Sequence, residues 1–174
     1  EFVGQIFDLL VAGGEPLGLA LAGYHALDTL RSEKGYRHFG HDVTPGDTPL
    51  EAGLGFAVSF RKEVDFTGRA ALETQKAAGV ARRTAFFRLA DPEPILLHDE
   101  PIWRDGVLIG RTASAAYGYT VGASVAMGYL PVPEGDWAAW LKDGAFEIEL
   151  AGIRHPAVAS ARPFYDPENR RIRA

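Results

Sequence analysis

Five side chains that can act as acids, bases or metal ligands lie within fourteen residues of one another. They are His38, His41, Asp42, Asp47 and Glu51. Imidazole nitrogens and carboxylate oxygens bind zinc and other divalent ions, so a metal site is chemically possible. However, the two histidines lack the i, i+4 spacing of a helical zinc motif, and Gly40 and Pro45 predict a turn-rich loop. We therefore expect hydrogen bonds within the loop rather than a bound metal.

Glu51 has a structural explanation of its own. Thr48-Pro49-Leu50-Glu51 matches a capping box, in which the threonine hydroxyl accepts from the Glu51 amide and the glutamate carboxylate accepts from the Thr48 amide. The motif predicts a helix that begins after Thr48.

No Gly-x-Ser-x-Gly motif is present, which disfavours a serine hydrolase. The glycine-containing stretch 118–122 matches neither a phosphate-binding loop nor a dinucleotide fingerprint, so we expect a plain loop there.

Composition narrows the classes of partner. The chain has 174 residues, a formal charge of -5 and no cysteine. The negative charge disfavours nucleic acid and anionic membrane surfaces as main partners, and the missing cysteines exclude disulfides and thiolate chemistry. No apolar run reaches the roughly 18 residues that span a bilayer. Because Glu1 stands inside an amphipathic pattern, we expect the chain to be part of a longer polypeptide.

Three helices are predicted in the first 79 residues. Apolar residues recur at helical spacing from Phe2 to Leu10 and stop at two glycines. A second helix is predicted from Gly23 to Lys34, with Tyr24, Leu27 and Arg31 on one face and the charged C-terminal end pointing away from the core. A third is predicted over 70–78, between the start signal at 65–68 and the stop at 79.

Short strand-like runs separated by proline and glycine follow residue 80. They are Thr84 to Leu89, Ile102 to Arg104, Val107 to Ile109, Val125 to Leu130, Phe146 to Leu150 and Ala157 to Ala161. Asp105-Gly106 is the signature of a type I′ hairpin turn between the second and third runs. Trp137 and Trp140 are expected to pack against these strands rather than to form a ligand platform. The pattern predicts an α+β chain whose second part is a compact antiparallel barrel or sandwich of about six strands.

Five longer stretches carry a resemblance to a known family. In chain order they read AGYHALDTLRSEKGY, GHDVTPGDTPLEAGLGFAVSF, DFTGRAAL, RDGVLIGRTASAAYGYTVGASVAMGYLP and RPFYDP. Together they resemble the C-terminal half of the glycine cleavage T-protein (aminomethyltransferase) family. The spellings HALD and EKGY are most similar to the branch fused to flavin-dependent dimethylglycine and sarcosine dehydrogenases.

This resemblance implies a domain division, a cofactor and a chemistry. Residues 1–79 would form the C-terminal part of a folate-binding domain and residues 80–174 the barrel domain. The implied function is capture of a one-carbon unit by tetrahydrofolate, with the catalytic carboxylate and the FAD domain in upstream sequence. No residue of this chain is then expected to be catalytic, and the location would be the cytoplasm or the mitochondrial matrix. A noncatalytic regulatory module of the same fold and a stand-alone T-protein are the alternatives.

Four residues become candidate contacts to the folate cofactor: Tyr24, Arg31, Phe56 and Tyr129. T-proteins have Gly-Ala-Arg-Asp at 25–28, so Leu27 replaces an arginine that the resemblance associates with the folate carboxylates. Phe56 replaces a tryptophan and has core packing as its alternative explanation. For Arg31 the alternative is an ion pair or a helix cap, and for Tyr129 a packed barrel position.

Overall fold

The computed structural model describes residues 2–173 and confirms the α+β class. The helices are α1 (Val3–Gly14), α2 (Tyr24–Lys34), α3 (Arg69–Ala78) and α4 (Trp137–Asp143), with 3-10 turns at Glu15–Leu17 and Gly55–Ala57. The strands are β1 (Arg82–Leu89), β2 (Pro101–Arg104), β3 (Val107–Gly118), β4 (Ala123–Pro131), β5 (Phe146–Leu150) and β6 (Ile153–Ser160). The three predicted helices and six predicted strand positions are confirmed, whereas α4 was not predicted.

The six strands form a closed antiparallel barrel in the order β1-β4-β3-β2-β5-β6, in which β6 pairs with β1. Closure leaves no unpaired strand edge. The hairpin prediction is confirmed, because Asp105 and Gly106 join β2 to β3 with φ angles of 52° and 79°. The loop predicted at 118–122 joins β3 to β4, except that Gly118 is the last residue of β3.

Apolar side chains from the strands and α4 fill the barrel core. The buried cluster contains Ala85, Phe87, Leu89, Leu96, Ile102, Ala126, Leu130, Trp137, Leu141, Phe146 and Ile148. Trp137 and Trp140 stack with ring centroids 5.4 Å apart, and Trp140 meets the edge of Phe146 at 5.7 Å. The expectation that these tryptophans pack on the barrel is confirmed.

Helix α2 packs against β3 and β4 and therefore joins the helical part to the barrel. Gly35 ends the helix in the left-handed region, with φ 71°, as the stop signal predicted. The expectation that the charged end of α2 points away from the core is wrong, because Glu33 and Lys34 are buried. Each has specific partners, which is the condition under which proteins bury charged side chains.

The Thr48 motif makes its hydrogen bonds without starting a helix. The Thr48 amide donates to Glu51 Oε2 at 2.9 Å, and the Glu51 amide donates to Thr48 Oγ1 at 3.2 Å. The structural role of Glu51 is confirmed. The helix predicted after Thr48 is wrong, because residues 49–53 form a run of turns. A glycine at 53 with φ 68° interrupts the helical backbone after one turn.

Helix α1 has no buried residue, although its sequence is amphipathic. Phe2, Val3, Ile6, Phe7, Leu9 and Leu10 are all more than half exposed. Within residues 2–173, no helix is both long enough and apolar enough to cross a membrane.

Candidate functional site

A cavity of about 220 Å³ lies along α2 and the segment that follows it, and we call it the α2 cavity. It is lined by Tyr24, Leu27, Asp28, Arg31, Tyr36, Arg37 and His38. The i, i+3 and i, i+4 spacing of Tyr24, Leu27 and Arg31 places them on one helix face, as predicted. Two of the four candidate cofactor contacts, Tyr24 and Arg31, therefore share one cavity.

Arg31 is engaged by protein groups on both sides. Its Nε donates to Asp28 Oδ1 at 2.6 Å and its Nη1 to Asp42 Oδ2 at 2.5 Å. A third bond runs from Nη2 to Ser114 Oγ on β3 at 3.0 Å. These bonds match the ion-pair explanation for Arg31, and they fix the position of its guanidinium in the lining of the cavity.

Asp42 is the centre of the contacts between the helical part and the barrel. Its carboxylate is 1% exposed and accepts from Arg31, from the His38 amide at 2.8 Å and from the Ser114 hydroxyl. Its carbonyl oxygen accepts from the Tyr129 hydroxyl at 3.0 Å. The expectation that Asp42 forms hydrogen bonds in its loop is confirmed, and its further partners lie on α2, β3 and β4.

Arg37 lines the same cavity and has fewer partners than Arg31. Its Nη1 donates to the Gly35 carbonyl oxygen at 2.7 Å, and its guanidinium carbon lies 5.2 Å from the centroid of the Phe86 ring. The buried Nε has no hydrogen-bond partner among the described residues. Burial lowers the pKa of Arg37 below its ordinary value, against the opposing influence of Tyr129 and Asp42.

Tyr129 and Phe56 lie outside the α2 cavity. Tyr129 is a half-buried residue of β4, as its barrel explanation requires, and the Arg82 guanidinium lies 4.9 Å from its ring centroid. Burial raises the pKa of its hydroxyl, with the Asp47 carboxylate adding to the effect. Phe56 is 87% exposed in a 3-10 turn, so core packing is excluded for it in this chain.

Four of the five histidines of the chain line one groove beside the α2 cavity. They are His25, His38, His41 and His98. The His41 ring stacks on His38 at 6.1 Å and meets the edge of His98 at 5.6 Å between centroids. Sequence reasoning found the pair at 38 and 41 but not His98, which is brought in from the barrel by the fold. No group of three or more His, Cys, Asp or Glu side chains within residues 2–173 has an arrangement that would hold a metal ion.

Two buried charges that sequence reasoning missed fix α2 to the barrel and the C-terminal segment. Glu33 Oε1 accepts from the Thr120 and Val121 amides at 2.7 and 2.8 Å. Lys34 Nζ donates to the Asp166 carboxylate at 3.1 Å and to Asn169 Oδ1 at 2.6 Å. These contacts join positions more than 80 residues apart, so no local signal indicates them. They set the position of the helix that carries Tyr24 and Arg31.

Comparison with known proteins identifies the two parts of this architecture. Residues 82–166 match the glycine cleavage T-protein C-terminal barrel domain, and residues 1–62 match the GCVT N-terminal domain. The chain is 44% identical over 169 residues to 4-methylaminobutanoate oxidase (formaldehyde-forming) of Paenarthrobacter nicotinovorans, covering 97% of this chain and 20% of that protein. It is 38% identical over 170 residues to human mitochondrial sarcosine dehydrogenase, covering 97% of this chain and 18% of that protein.

The chain thus spans about a fifth of the length of these relatives. A solved structure, aminomethyltransferase T of the glycine cleavage system from Bartonella henselae, superposes with a TM-score of 0.77 and 26% identity. The superposition covers 95% of this chain and 44% of that one. The GCVT N-terminal match precedes the barrel match along the chain. The chain belongs to the glycine cleavage T-protein family.

Proposed function

We propose that this chain is the C-terminal part of a tetrahydrofolate-dependent one-carbon transfer protein. Residues 1–79 complete its folate-binding domain, and residues 80–174 form the barrel that closes it. The observation that carries this proposal is the succession of the two T-protein domain matches along one chain, with the α2 cavity inside the first of them. Tyr24, Arg31, Phe56 and Tyr129 remain the proposed residues on the folate-facing side.

The distribution of exposed apolar residues supports this proposal. Half of the exposed large hydrophobic side chains in the described chain lie between Phe2 and Leu30. Tyr24 is 71% exposed and Leu27 is 59% exposed. Large exposed apolar surfaces mark sites that pack against other protein or a ligand. Further sequence of a longer polypeptide would cover α1 and complete the cofactor pocket.

The residues of the α2 cavity fit one end of a folate rather than the whole molecule. A drug-sized ligand occupies a pocket of about 300–1,000 Å³, whereas this cavity measures about 220 Å³. Two tyrosine rings offer flat surfaces for an aromatic group, and the arginines offer donors for carboxylates. Bound tetrahydrofolate would supply the secondary amine that accepts the one-carbon unit. The role of this chain is to position that cofactor and to exclude water, because the family resemblance implies that the catalytic carboxylate lies in upstream sequence.

An upstream flavin domain and a folate-compatible compartment belong to the same proposal. The relatives named above are an oxidase and a mitochondrial dehydrogenase that are about five times longer than this chain. FAD would bind in upstream sequence, because this chain carries no dinucleotide fingerprint. The one-carbon donor would be a methylated amine oxidised there. The proposed location is the cytoplasm or the mitochondrial matrix.

One comparison favours a second candidate, a noncatalytic module of the same fold. The chain is 36% identical over 174 residues to the mitochondrial pyruvate dehydrogenase phosphatase regulatory subunit of Mus musculus, covering 94% of this chain and 20% of that protein. A regulatory module would keep the barrel and the contacts of Asp42 without turning over a one-carbon unit. An assay of one-carbon transfer to tetrahydrofolate distinguishes the transfer protein from the regulatory module.

The test is formation of 5,10-methylenetetrahydrofolate from formaldehyde by the longer polypeptide. We expect activity from that polypeptide and none from this chain alone. In the longer protein Phe56→Ala should weaken tetrahydrofolate binding by about 1 kcal/mol if the ring contacts the cofactor. Phe39→Ala is the matched control, because Phe39 is an exposed phenylalanine like Phe56, at 72% exposure, and is not among the candidate folate contacts. A longer polypeptide that binds no folate would favour the regulatory candidate.

A further inference from the structure

A separate cavity of about 480 Å³ lies between β1, the β3–β4 turn and the C-terminal segment, and we call it the C-terminal cavity. Its lining includes Arg88, Thr120, Phe164, Tyr165, Asp166 and Arg171. It shares no lining residue with the α2 cavity or with the groove of histidines. Its volume falls within the range of about 300–1,000 Å³ that is usual for small-molecule sites, so a ligand unrelated to the folate contacts fits there.

Two arginine side chains line this cavity without a protein acceptor. Within residues 2–173, neither the Arg88 nor the Arg171 guanidinium takes part in a hydrogen bond or an ion pair. Arg88 is half-buried, with its guanidinium carbon 5.9 Å from the centroid of the Phe164 ring. The neighbouring Arg170, by contrast, pairs with Glu168 at 2.5 Å. Since each guanidinium carries five N–H donors, the cavity has unused donors on two sequence elements.

The carboxylates next to the cavity are committed to other donors. Asp166 has a side chain that is 5% exposed, and it accepts from Lys34 Nζ at 3.1 Å and from the Arg170 amide at 2.7 Å. Glu33 is 2% exposed and accepts from the two amides of the β3–β4 turn at 2.7 and 2.8 Å. The two arginines therefore make the cavity locally positive, although the whole chain has a formal charge of -5.

The C-terminal segment is held in a strained conformation next to the cavity. Asp166 and Asn169 have φ angles of 43° and 58°, in the left-handed region that costs a residue with a side chain about 1–2 kcal/mol. Lys34 holds both, since its Nζ donates to the Asp166 carboxylate and to Asn169 Oδ1 at 2.6 Å. Strained backbone persists where surrounding contacts fix it, and it is frequent at ligand sites. The segment thus presents its lining residues to the cavity in one conformation.

The donors of the cavity fit a phosphate better than a carboxylate. One bidentate arginine engages both oxygens of a carboxylate, whereas a phosphate monoester has three terminal oxygens and carries about two negative charges at neutral pH. It can therefore bind two guanidiniums together. The hydroxyls of Thr120 and Tyr165 are further donors in the lining, and the rings of Phe164 and Tyr165 offer flat apolar surfaces.

We propose that the C-terminal cavity binds a small phosphate monoester that carries a planar ring. Arg88 and Arg171 hold the phosphoryl group, and Phe164 and Tyr165 contact the ring. This binding is independent of one-carbon transfer, and its test involves no folate, so either proposal can fail without the other.

The first experiment is a nuclear magnetic resonance titration of the unmodified chain at constant ionic strength with phenyl phosphate, inorganic phosphate and benzoate. We expect phenyl phosphate to shift the Nε–H signals of Arg88 and Arg171 and the amide signals of residues 119–122 and 164–171, with a dissociation constant of about 0.1–1 mM. Benzoate should bind at least about tenfold more weakly, because it has one charge and two oxygens. Inorganic phosphate should bind about three- to tenfold more weakly than phenyl phosphate, because it lacks the ring.

Three results would overturn the proposal. Equal binding of benzoate and phenyl phosphate would exclude phosphate selectivity, and equal binding of the two phosphates would exclude the contact with a ring. Shifts confined to other parts of the chain would exclude the cavity. A phosphotyrosine peptide that binds at least about tenfold more tightly than phenyl phosphate would assign the site to a phosphorylated protein instead of a small molecule.

The second experiment uses variants with matched controls. Arg88→Met should weaken binding of phenyl phosphate by at least about tenfold, and Arg171→Met by about three- to tenfold, because each removes charge-assisted hydrogen bonds. Arg83→Met is the control for the first, since Arg83 is an exposed residue of the same strand outside the cavity. Arg170→Met is the control for the second, since Arg170 is adjacent in sequence and pairs with Glu168.

Both controls should leave the dissociation constant unchanged within about twofold, and Arg88→Lys should give an intermediate loss, because an ammonium replaces a bidentate group. Arg171 is exposed, so its replacement keeps the proposal testable if Arg88→Met does not fold. Unchanged binding in Arg171→Met, or a loss as large in the controls, would contradict the assignment of these arginines to the phosphoryl group.

Discussion

Replacement of Asp42 by asparagine removes one buried charge from the junction between α2 and the barrel while keeping the shape of the side chain. Removing one partner of a buried ion pair costs about 3–5 kcal/mol. The lower end applies here, because Arg31 keeps its second partner, Asp28, at 2.6 Å. The asparagine amide has only one oxygen that accepts hydrogen bonds. Its NH2 group would face the Ser114 hydroxyl or the Arg31 guanidinium, both of which donate to the Asp42 carboxylate. We therefore expect a loss of about 3 kcal/mol in the free energy of unfolding.

Thermal unfolding monitored by circular dichroism measures this loss. For a chain of this size about 3 kcal/mol corresponds to a fall in Tm of about 6–12 °C. Asp28→Asn is the matched control, because Asp28 binds the same arginine but is 38% exposed. Its replacement should cost at most about 1 kcal/mol. Equal effects of the two substitutions would refute the reasoning that Asp42 is the centre of the junction.

Three further predictions concern stability. Glu33→Gln should cost about 2 kcal/mol and speed hydrogen exchange of the two β3–β4 turn amides that it binds, and unchanged exchange would contradict this. Hydrogen bonds from Thr44 and the charge of Arg82 outweigh burial and lower the pKa of Asp47 below its ordinary 3.8. The Asp47 carboxylate therefore stabilises the folded chain above pH 3.8, and this stabilisation is lost as the pH falls through the lower folded-state pKa. The difference in Tm between the unmodified chain and Asp47→Asn should shrink on acidification. Gly106→Ala, alone or with Asp105→Ala, should lower Tm at a cost of about 1–2 kcal/mol per strained residue, and an unchanged Tm would show that the turn tolerates a side chain.

The elements that carry a strong local signal were predictable. Asp105-Gly106 fixed the β2–β3 hairpin and Gly35 fixed the end of α2, because backbone conformation at these positions depends on residue type. The length of β3 was underestimated, since its second half contains the run Ala113 to Ala116, whose small residues have weak strand preference. Helix α4 was missed because seven residues are too few to show a helical period.

The candidate site was predictable only where its residues share one helix. Tyr24 and Arg31 lie on one face of α2, so spacing alone brought them together. Asp42 and Ser114 are 72 residues apart, and their contact exists only after the barrel has formed. The burial of Glu33 was missed for the same reason, because its partners are backbone amides of a distant turn.

The central claim is that this chain supplies one wall of a folate site whose other wall lies in further sequence. Titration calorimetry with tetrahydrofolate, on this chain and on a longer polypeptide that contains it, tests the claim most directly. We expect a dissociation constant weaker than about 1 mM for this chain, equivalent to less than about 4 kcal/mol, and far tighter binding by the longer polypeptide. Micromolar binding by this chain alone would contradict the account and place the whole site within residues 1–174.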